Sequence, residues 1–141
     1  MTTIEIVITC FVVLELSNVL TMYFFPGSGK ANSVGVFSAW EASRQYPEIH
    51  DFVRYLVFWV AGSKLIFLLL LVVIIVYGTP DMQRISLIAL AVSTMSFYWR
   101  LFPLIRKMDR DGQIQPRRYS IFLGSLIALF ILVFLAAAFN A

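Results

Sequence analysis

Four long apolar segments constrain this 141-residue chain more than any other feature. They cover residues 4–25, 52–77, 82–105 and 119–139, and each reaches the roughly 20 residues that a helix needs to cross a hydrocarbon layer. Backbone polar groups in lipid must pair within their own segment, and four strands are too few to close a barrel. The predicted fold class is therefore all-α integral membrane, a single domain of residues 1–141 folded as a four-transmembrane-helix bundle.

The composition also favours a bilayer location. Apolar residues make up 60% of the chain, charged residues only 13%, and the mean hydropathy is +0.86, which leaves too little polar surface for a soluble domain. The formal charge is +3, but the basic residues lie mainly at the ends of the apolar segments, so no nucleic-acid-binding face is predicted. The single cysteine, Cys10, excludes a disulfide within the chain and dithiol redox chemistry.

The distribution of Lys and Arg predicts the orientation of the spans. The connection of residues 106–118 contains five basic residues, and the first connection adds Lys30, Arg44 and Arg54. The opposite side offers only Arg84. By the positive-inside rule both connections face the cytoplasm, and both termini and the short turn of residues 78–81 lie on the non-cytoplasmic side.

Capping residues and helical spacing predict two local features of the connections. In the short turn, Thr79 is the expected N-cap of the third helix and Pro80 its first residue, while Asp51 is the expected cap of the second. Between residues 32 and 46, apolar residues recur at helical spacing, which predicts a short amphipathic interfacial helix on the cytoplasmic leaflet. These apolar residues are Val34, Val36, Phe37 and Trp40.

Two ionisable residues lie deep in the first two apolar segments, where charge is costly. Glu15 lies roughly 15 Å and Lys64 roughly 18 Å from the cytoplasmic end of their helices, at 1.5 Å per residue. Since they share a depth, and since residues 61–63 (Ala-Gly-Ser) permit close helix approach, we predict that the two side chains pair. Asn18 lies one turn from Glu15 and can donate to its carboxylate.

Polar residues also recur along the third segment. Ser86, Ser93, Ser96 and Arg100 follow one another at spacings of seven, three and four, which predicts one polar seam facing the bundle interior. Arg100 lies close enough to the basic connection to extend to the interface instead. In the fourth segment, Gly124 and Ala128 form a pair of small residues suited to helix packing.

No motif for a metal, a cofactor or a common catalytic site is recognised, so none is predicted. Residues 109–114 resemble the middle of a calcium loop, but its first and twelfth ligand positions would be Lys107 and Arg118, both cations. The one histidine, His50, lies between Glu48 and Asp51 at the entry to the second span. An enzyme acting on lipid headgroups through these three residues is the least favoured reading.

Two functional hypotheses remain. The first is a small non-enzymatic membrane protein that binds or transports a small solute, ion or lipid through a polar site in the bundle. Its predicted residues are Glu15, Asn18, Lys64, Ser93, Ser96 and Arg100. The alternative is an accessory or assembly subunit of a larger membrane complex, in which the same charges only fix helix register. The lipid bilayer is one expected partner. Since four helices enclose little room, a second copy of the chain or a larger membrane complex is the other.

Overall fold

The computed structural model describes residues 1–140, and helices dominate it. The α-helices, in chain order, are α1 (Thr3–Phe24), α2 (Ser38–Ser43), α3 (Pro47–Tyr77), α4 (Pro80–Met95), α5 (Leu101–Arg110) and α6 (Tyr119–Asn140). Two short 3-10 turns cover Val34–Val36 and Ser96–Tyr98. The all-helical prediction is confirmed. Helices α1, α3 and α6 are long and apolar enough to cross a membrane, and α4 with α5 makes a fourth candidate if the bent pair is one span.

The first and fourth helices begin at caps that the sequence encodes. At α1, the Thr2 hydroxyl accepts from the Glu5 N–H while the Glu5 carboxylate accepts from the Thr2 N–H, a reciprocal capping box. At α4, Thr79 accepts from the Met82 N–H at 3.3 Å, and Pro80 occupies the first turn. The predicted roles of Thr79 and Pro80 are therefore confirmed.

The helices pack as two closely associated pairs, α1 with α3 and α4 with α6. One apolar cluster joins the pairs and includes Ile8, Leu87 and Phe134, all almost fully buried. A second cluster lies between α1 and α3 around Val19 and Ala61. Helices α3 and α4 contact each other little although only Gly78 and Thr79 separate them.

The two ends of the bundle differ in what they carry. At one end, the Arg84 guanidinium lies over the Phe139 ring, 5.9 Å from its centroid, which brings the end of α6 to the start of α4. At the other end, the connections of residues 25–46 and 111–118 meet in an antiparallel bridge between Phe37 and Ile114. The Gln115 N–H donates to the Val36 carbonyl at 2.9 Å there. We call this second end the loop end.

The interfacial helix predicted for residues 32–46 is wrong in extent and in what it faces. The segment contains only the turn Val34–Val36 and the six-residue helix α2. Val36 packs with Ile105 and Ile114, and Trp40 packs against His50 with ring centroids 4.5 Å apart and ring planes tilted by 47°. Both apolar side chains are buried within the protein, Val36 by α5 and the second connection and Trp40 by His50 and Gly27, so they do not present a free face to lipid.

Helix α3 begins five residues earlier than predicted. Tyr46 is its N-cap and Pro47 its first residue, where the missing N–H costs no hydrogen bond. Asp51 lies inside the helix and pairs with Arg54 at 3.6 Å, so its predicted capping role is wrong. A proline at the first helical position accounts for the earlier start.

The third segment is not one straight helix. Between α4 and α5 the chain makes the turn Ser96–Tyr98, and the two helical parts differ in direction by 41°. Pro103 explains the break, because its nitrogen cannot donate to the carbonyl of Trp99 and its ring would clash with that carbonyl in a continuous helix.

Candidate functional site

Glu15 and Lys64 meet between α1 and α3. The Lys64 Nζ atom lies 2.6 Å from Glu15 Oε2, and the Glu15 residue is only 8% exposed. Ala61, one turn before Lys64, is fully buried in the cluster with Val19 and Met22, so its small side chain lets the helices approach. The pairing of Glu15 with Lys64, which the sequence predicted from their equal depth, is present in the structure.

Asn18 completes the coordination of the carboxylate. Its Nδ2 donates to Glu15 Oε1 at 3.1 Å, so each carboxylate oxygen has one partner. Asn18 is 7% exposed and lies one helical turn from Glu15, which makes this contact local to α1. With both oxygens engaged, Glu15 is held in one orientation while it faces Lys64.

Lys64 retains hydrogen-bonding capacity. An ammonium group carries three donor hydrogens, and among residues 1–140 its only hydrogen-bond partner is Glu15. The Lys64 side chain is 27% exposed, against 11% for Glu15. The amine is therefore the more accessible member of the pair.

A cavity of about 350 Å³ borders the pair on the side of the loop end. Its polar boundary includes Glu15, Lys64 and Ser33, and most of the rest is apolar. The bend between α4 and α5 contributes to this space, since residues on both sides of the break line it. Apolar side chains from the break, α5 and α6 that face the cavity are Phe97, Leu101, Ile105, Leu123 and Ile127.

Ser33 is a candidate site residue that sequence reasoning missed. It is 1% exposed, it lines the same cavity, and its Oγ atom has no hydrogen-bond partner among the described residues. A buried hydroxyl without a partner is costly, and such groups often mark a site for a ligand or water. No sequence signal identifies Ser33, because its burial depends on how the connection of residues 25–46 folds back over the bundle.

Ser93 and Ser96 do not join this site. Both are exposed on the outside of the bundle, and the buried face of α4 is formed by Gln83, Leu87 and Ala91. The Ser93 hydroxyl donates to the Ala89 carbonyl at 2.8 Å, and that of Ser96 donates to the Ser93 carbonyl at 2.6 Å. The predicted inward seam is wrong because each serine is satisfied by its own helix and needs no interior partner.

Arg100 also lies away from Glu15 and Lys64. It is exposed at the break between the turn Ser96–Tyr98 and α5. Ser86, the first residue of the predicted seam, is half-buried, and its hydroxyl donates to the Met82 carbonyl. Gly124, by contrast, is buried, and its carbonyl accepts from the Tyr98 hydroxyl. The small residue in α6 therefore packs against the bent segment.

His50 makes a structural contact. Its Nδ1 atom lies 2.8 Å from Ser43 Oγ, and that hydroxyl also donates to the Trp40 carbonyl at 2.7 Å. Since a hydroxyl has one hydrogen, the His50 Nδ1 atom must be the donor to Ser43. Glu48 is exposed and Asp51 pairs with Arg54, so the acids next to His50 have other surroundings. Within residues 1–140 no group of three potential metal-ligating side chains is close enough to hold an ion.

The fold and this polar centre define a class: an all-helical protein, with membrane-length apolar helices, that carries a buried acid–amine pair beside an apolar cavity. Comparison with protein families, curated proteins and solved structures finds no match to this chain.

Proposed function

We propose that the chain is a multi-pass membrane protein of four spans, the third formed by α4 and α5 together, whose cavity binds a small, largely apolar molecule with one uncharged polar head. The head is a carbonyl or hydroxyl group. The observation that supports this most directly is that the buried, unpartnered Ser33 hydroxyl and the Lys64 ammonium border one cavity.

The charge of the site favours an uncharged ligand. Glu15 and Lys64 carry opposite charges at 2.6 Å, so together they are formally neutral. A third charge brought into this low-dielectric region would lose its hydration without gaining a free counter-ion. A carbonyl or hydroxyl, in contrast, can accept a hydrogen bond from Lys64 or Ser33 while the ion pair stays intact.

The size and lining of the cavity favour an apolar body. A volume of about 350 Å³ falls at the lower end of the range for small-molecule sites, which is roughly 300–1,000 Å³. Side chains such as Leu101, Ile105 and Ile127 offer no hydrogen bonds, so they recognise only hydrocarbon. In this proposal Lys64 and Ser33 bind the head, and Glu15, which Asn18 orients, holds Lys64. The protein binds or passes the ligand without chemical conversion.

Photolabelling in nanodiscs tests the proposal. The probe is octanol with a diazirine within its chain, and the matched probe is the corresponding fatty acid. We expect the alcohol to label peptides of α5 and α6, and we expect Ser33→Ala and Lys64→Met to lower labelling about fivefold or more, the loss of roughly 1 kcal/mol expected for one hydrogen bond. Ser17→Ala and Lys107→Met are the controls, because both residues are exposed.

Three results would contradict the proposal. Stronger labelling by the fatty acid would indicate an anion site rather than a neutral one. Equal labelling of the wild type, Ser33→Ala and Lys64→Met would place the probe outside this cavity. Labelling confined to lipid-facing peptides would leave the cavity without a ligand of this class.

A further inference from the structure

A second polar feature lies at the loop end, apart from Glu15 and Lys64. Four arginines line a cavity of about 310 Å³ there, Arg106 and Arg110 from α5 and Arg117 and Arg118 from the connection to α6. Residues 106–118 contain five basic and two acidic residues, which leaves a net charge of +3 on the segment. We call these four residues the arginine cluster.

The arginine cluster has little internal neutralisation. Among residues 1–140, none of the four guanidinium groups lies within 4.0 Å of a carboxylate, whereas Arg44 and Arg54 each pair with an acid one turn away. The one side-chain hydrogen bond in the cluster joins Arg106 Nη1 to Ser120 Oγ at 3.5 Å. Most of the donor capacity of the cluster is therefore available to a ligand.

Asp109 lines the same cavity, but it organises the connection. One carboxylate oxygen accepts from the Arg118 N–H at 3.0 Å, and the other accepts from the N–H and hydroxyl of Ser120. Asp109 lies beyond the apolar stretch, which ends at Ile105. The hydroxyl bond from Ser120 is the main reason that the pKa of the Asp109 carboxyl lies below its usual value; the backbone bonds and the nearby Arg106 act in the same direction, and desolvation opposes them.

The backbone at Arg118 supports this picture. Its φ is +68°, in the left-handed region that a residue with a side chain adopts at a cost. The bond from its N–H to Asp109 holds it there and keeps Arg117 and Arg118 beside the end of α5. The acid thus fixes two arginines of the cluster next to the other two.

Exposed apolar residues lie near the arginines in sequence, three and four residues after Arg118 on α6 and two residues before Arg106 on α5. On α6, Ile121 and Phe122 are 45% and 67% exposed, and on α5 Leu104 is 54% exposed. The loop end therefore carries donors for an anion and exposed surface suited to hydrocarbon chains within a few residues of each other. A free phosphate would use only the donors, whereas a lipid would use both.

We propose that the arginine cluster binds the phosphate headgroup of an anionic membrane lipid, with the acyl chains against the exposed apolar residues of α5 and α6. Guanidinium groups match phosphate oxygens in a two-pronged geometry. A cluster of cations without paired acids also favours a headgroup of net negative charge over a zwitterionic one, because it repels the choline cation. Basic pockets at the ends of membrane helices are known to act in this way in general. This proposal does not depend on a ligand at Lys64.

Native mass spectrometry of the full chain in detergent tests it with three probes. These are dioctanoyl phosphatidylglycerol, dioctanoyl phosphatidylcholine and inorganic phosphate. We expect the glycerol lipid to bind about tenfold or more tightly than the choline lipid, a difference of roughly 1.4 kcal/mol. We expect inorganic phosphate at equal concentration not to displace it.

Two variants and one control separate geometry from charge. Arg110→Gln with Arg117→Gln should remove the preference. Replacement of all four arginines by lysine keeps the net charge but not the two-pronged geometry, so it should weaken the binding of both lipids while the preference remains. Arg44→Gln with Arg54→Gln removes the same number of charges from residues that already have acidic partners, and it should leave the preference unchanged.

Several results would overturn the proposal. Loss of the preference in the control would mean that only net charge matters. Unchanged binding of both lipids in the lysine variant would mean that the guanidinium geometry has no role. Displacement by inorganic phosphate would mean that the cluster binds the free anion rather than a lipid.

Discussion

At the scale of single residues, the Glu15–Lys64 contact combines a cost with a constraint. Burying two charges costs several kcal/mol of desolvation free energy. The attraction within a short, well-bonded pair offsets that cost, often with no net stabilisation of the fold. Asn18 adds a third polar group, whose amide donates to Glu15 Oε1 and depends on that oxygen as its acceptor. The contact is therefore sensitive to the loss of one member and tolerant to the loss of both.

This asymmetry gives the first prediction. Lys64→Met should destabilise the protein by about 3–5 kcal/mol because it leaves a buried acid without its partner, whereas Glu15→Leu with Lys64→Met should restore most of that loss. Unfolding by SDS titration in mixed micelles measures both variants. Lys107→Met, at an exposed position, serves as the control and should change stability by less than about 0.5 kcal/mol.

The double variant also separates the two hypotheses from the sequence. If the pair is only a packing device, a folded Glu15→Leu and Lys64→Met protein should keep every function. If the pair binds a ligand head, the same folded protein should lose photolabelling. A double variant as unstable as the single one would contradict the structural argument at this site.

At the scale of elements, the connection of residues 25–46 decides much of the site. It contains little regular helix, yet it buries Ser33 over the cavity and rests on the second connection through Phe37 and Ile114. Gly35 is essential to this fold, because a Cβ atom there would collide with the carbonyl oxygen atoms of Gly27 and Ser28. Gly29, in the same connection, faces open space.

The two glycines give a matched test. We expect Gly35→Ala to shift the backbone of the connection, to expose Ser33 and to lower photolabelling by the fatty alcohol, while Gly29→Ala behaves as the wild type. Hydrogen exchange of the peptide that covers residues 30–38 reports the shift directly. Unchanged exchange in Gly35→Ala would show that the close backbone contact is not maintained.

Most elements could be predicted from sequence, and the exceptions have particular causes. The bounds of α1 and α6 agree with the predicted spans within a residue, since the unbroken apolar runs end at Pro26 and at Asn140. The third segment was predicted as continuous because its hydropathy is continuous, and the effect of Pro103 on a helix depends on what supports the bend. Here the Tyr98 hydroxyl bonded to the Gly124 carbonyl supplies that support.

At the scale of the whole molecule, the two ends of the bundle differ in the connections that they carry and in their charge. The start of α1 and the end of α6 lie with the turn between α3 and α4, and the two longer connections lie together at the loop end with most of the basic residues. The bundle is therefore strongly asymmetric in charge along its axis. This asymmetry is what the positive-inside rule acts on.

The rule gives a topology prediction. In a Cys10→Ala background, Thr79→Cys should react with a membrane-impermeant maleimide in intact cells, and Gln113→Cys should react only after permeabilisation. Both positions are exposed and at opposite ends of the bundle, and the cysteine-free parent controls for background labelling. The reverse pattern would place both termini in the cytoplasm and contradict the predicted orientation.

The sequence by itself determined that the chain is helical, where its apolar helices lie and that Glu15 and Lys64 share a depth. Segment length, hydropathy and depth can each be read along the chain without knowledge of the contacts between segments. Only the tertiary structure decided which way each helix face turns. Segments such as α6 are apolar on every side, so periodicity carries no information about the buried face, and neighbouring helices choose it by packing. Contacts between segments likewise turned the serines of α4 outward and buried Ser33. They also brought together the four arginines of the cluster, two from α5 and two from the connection before α6.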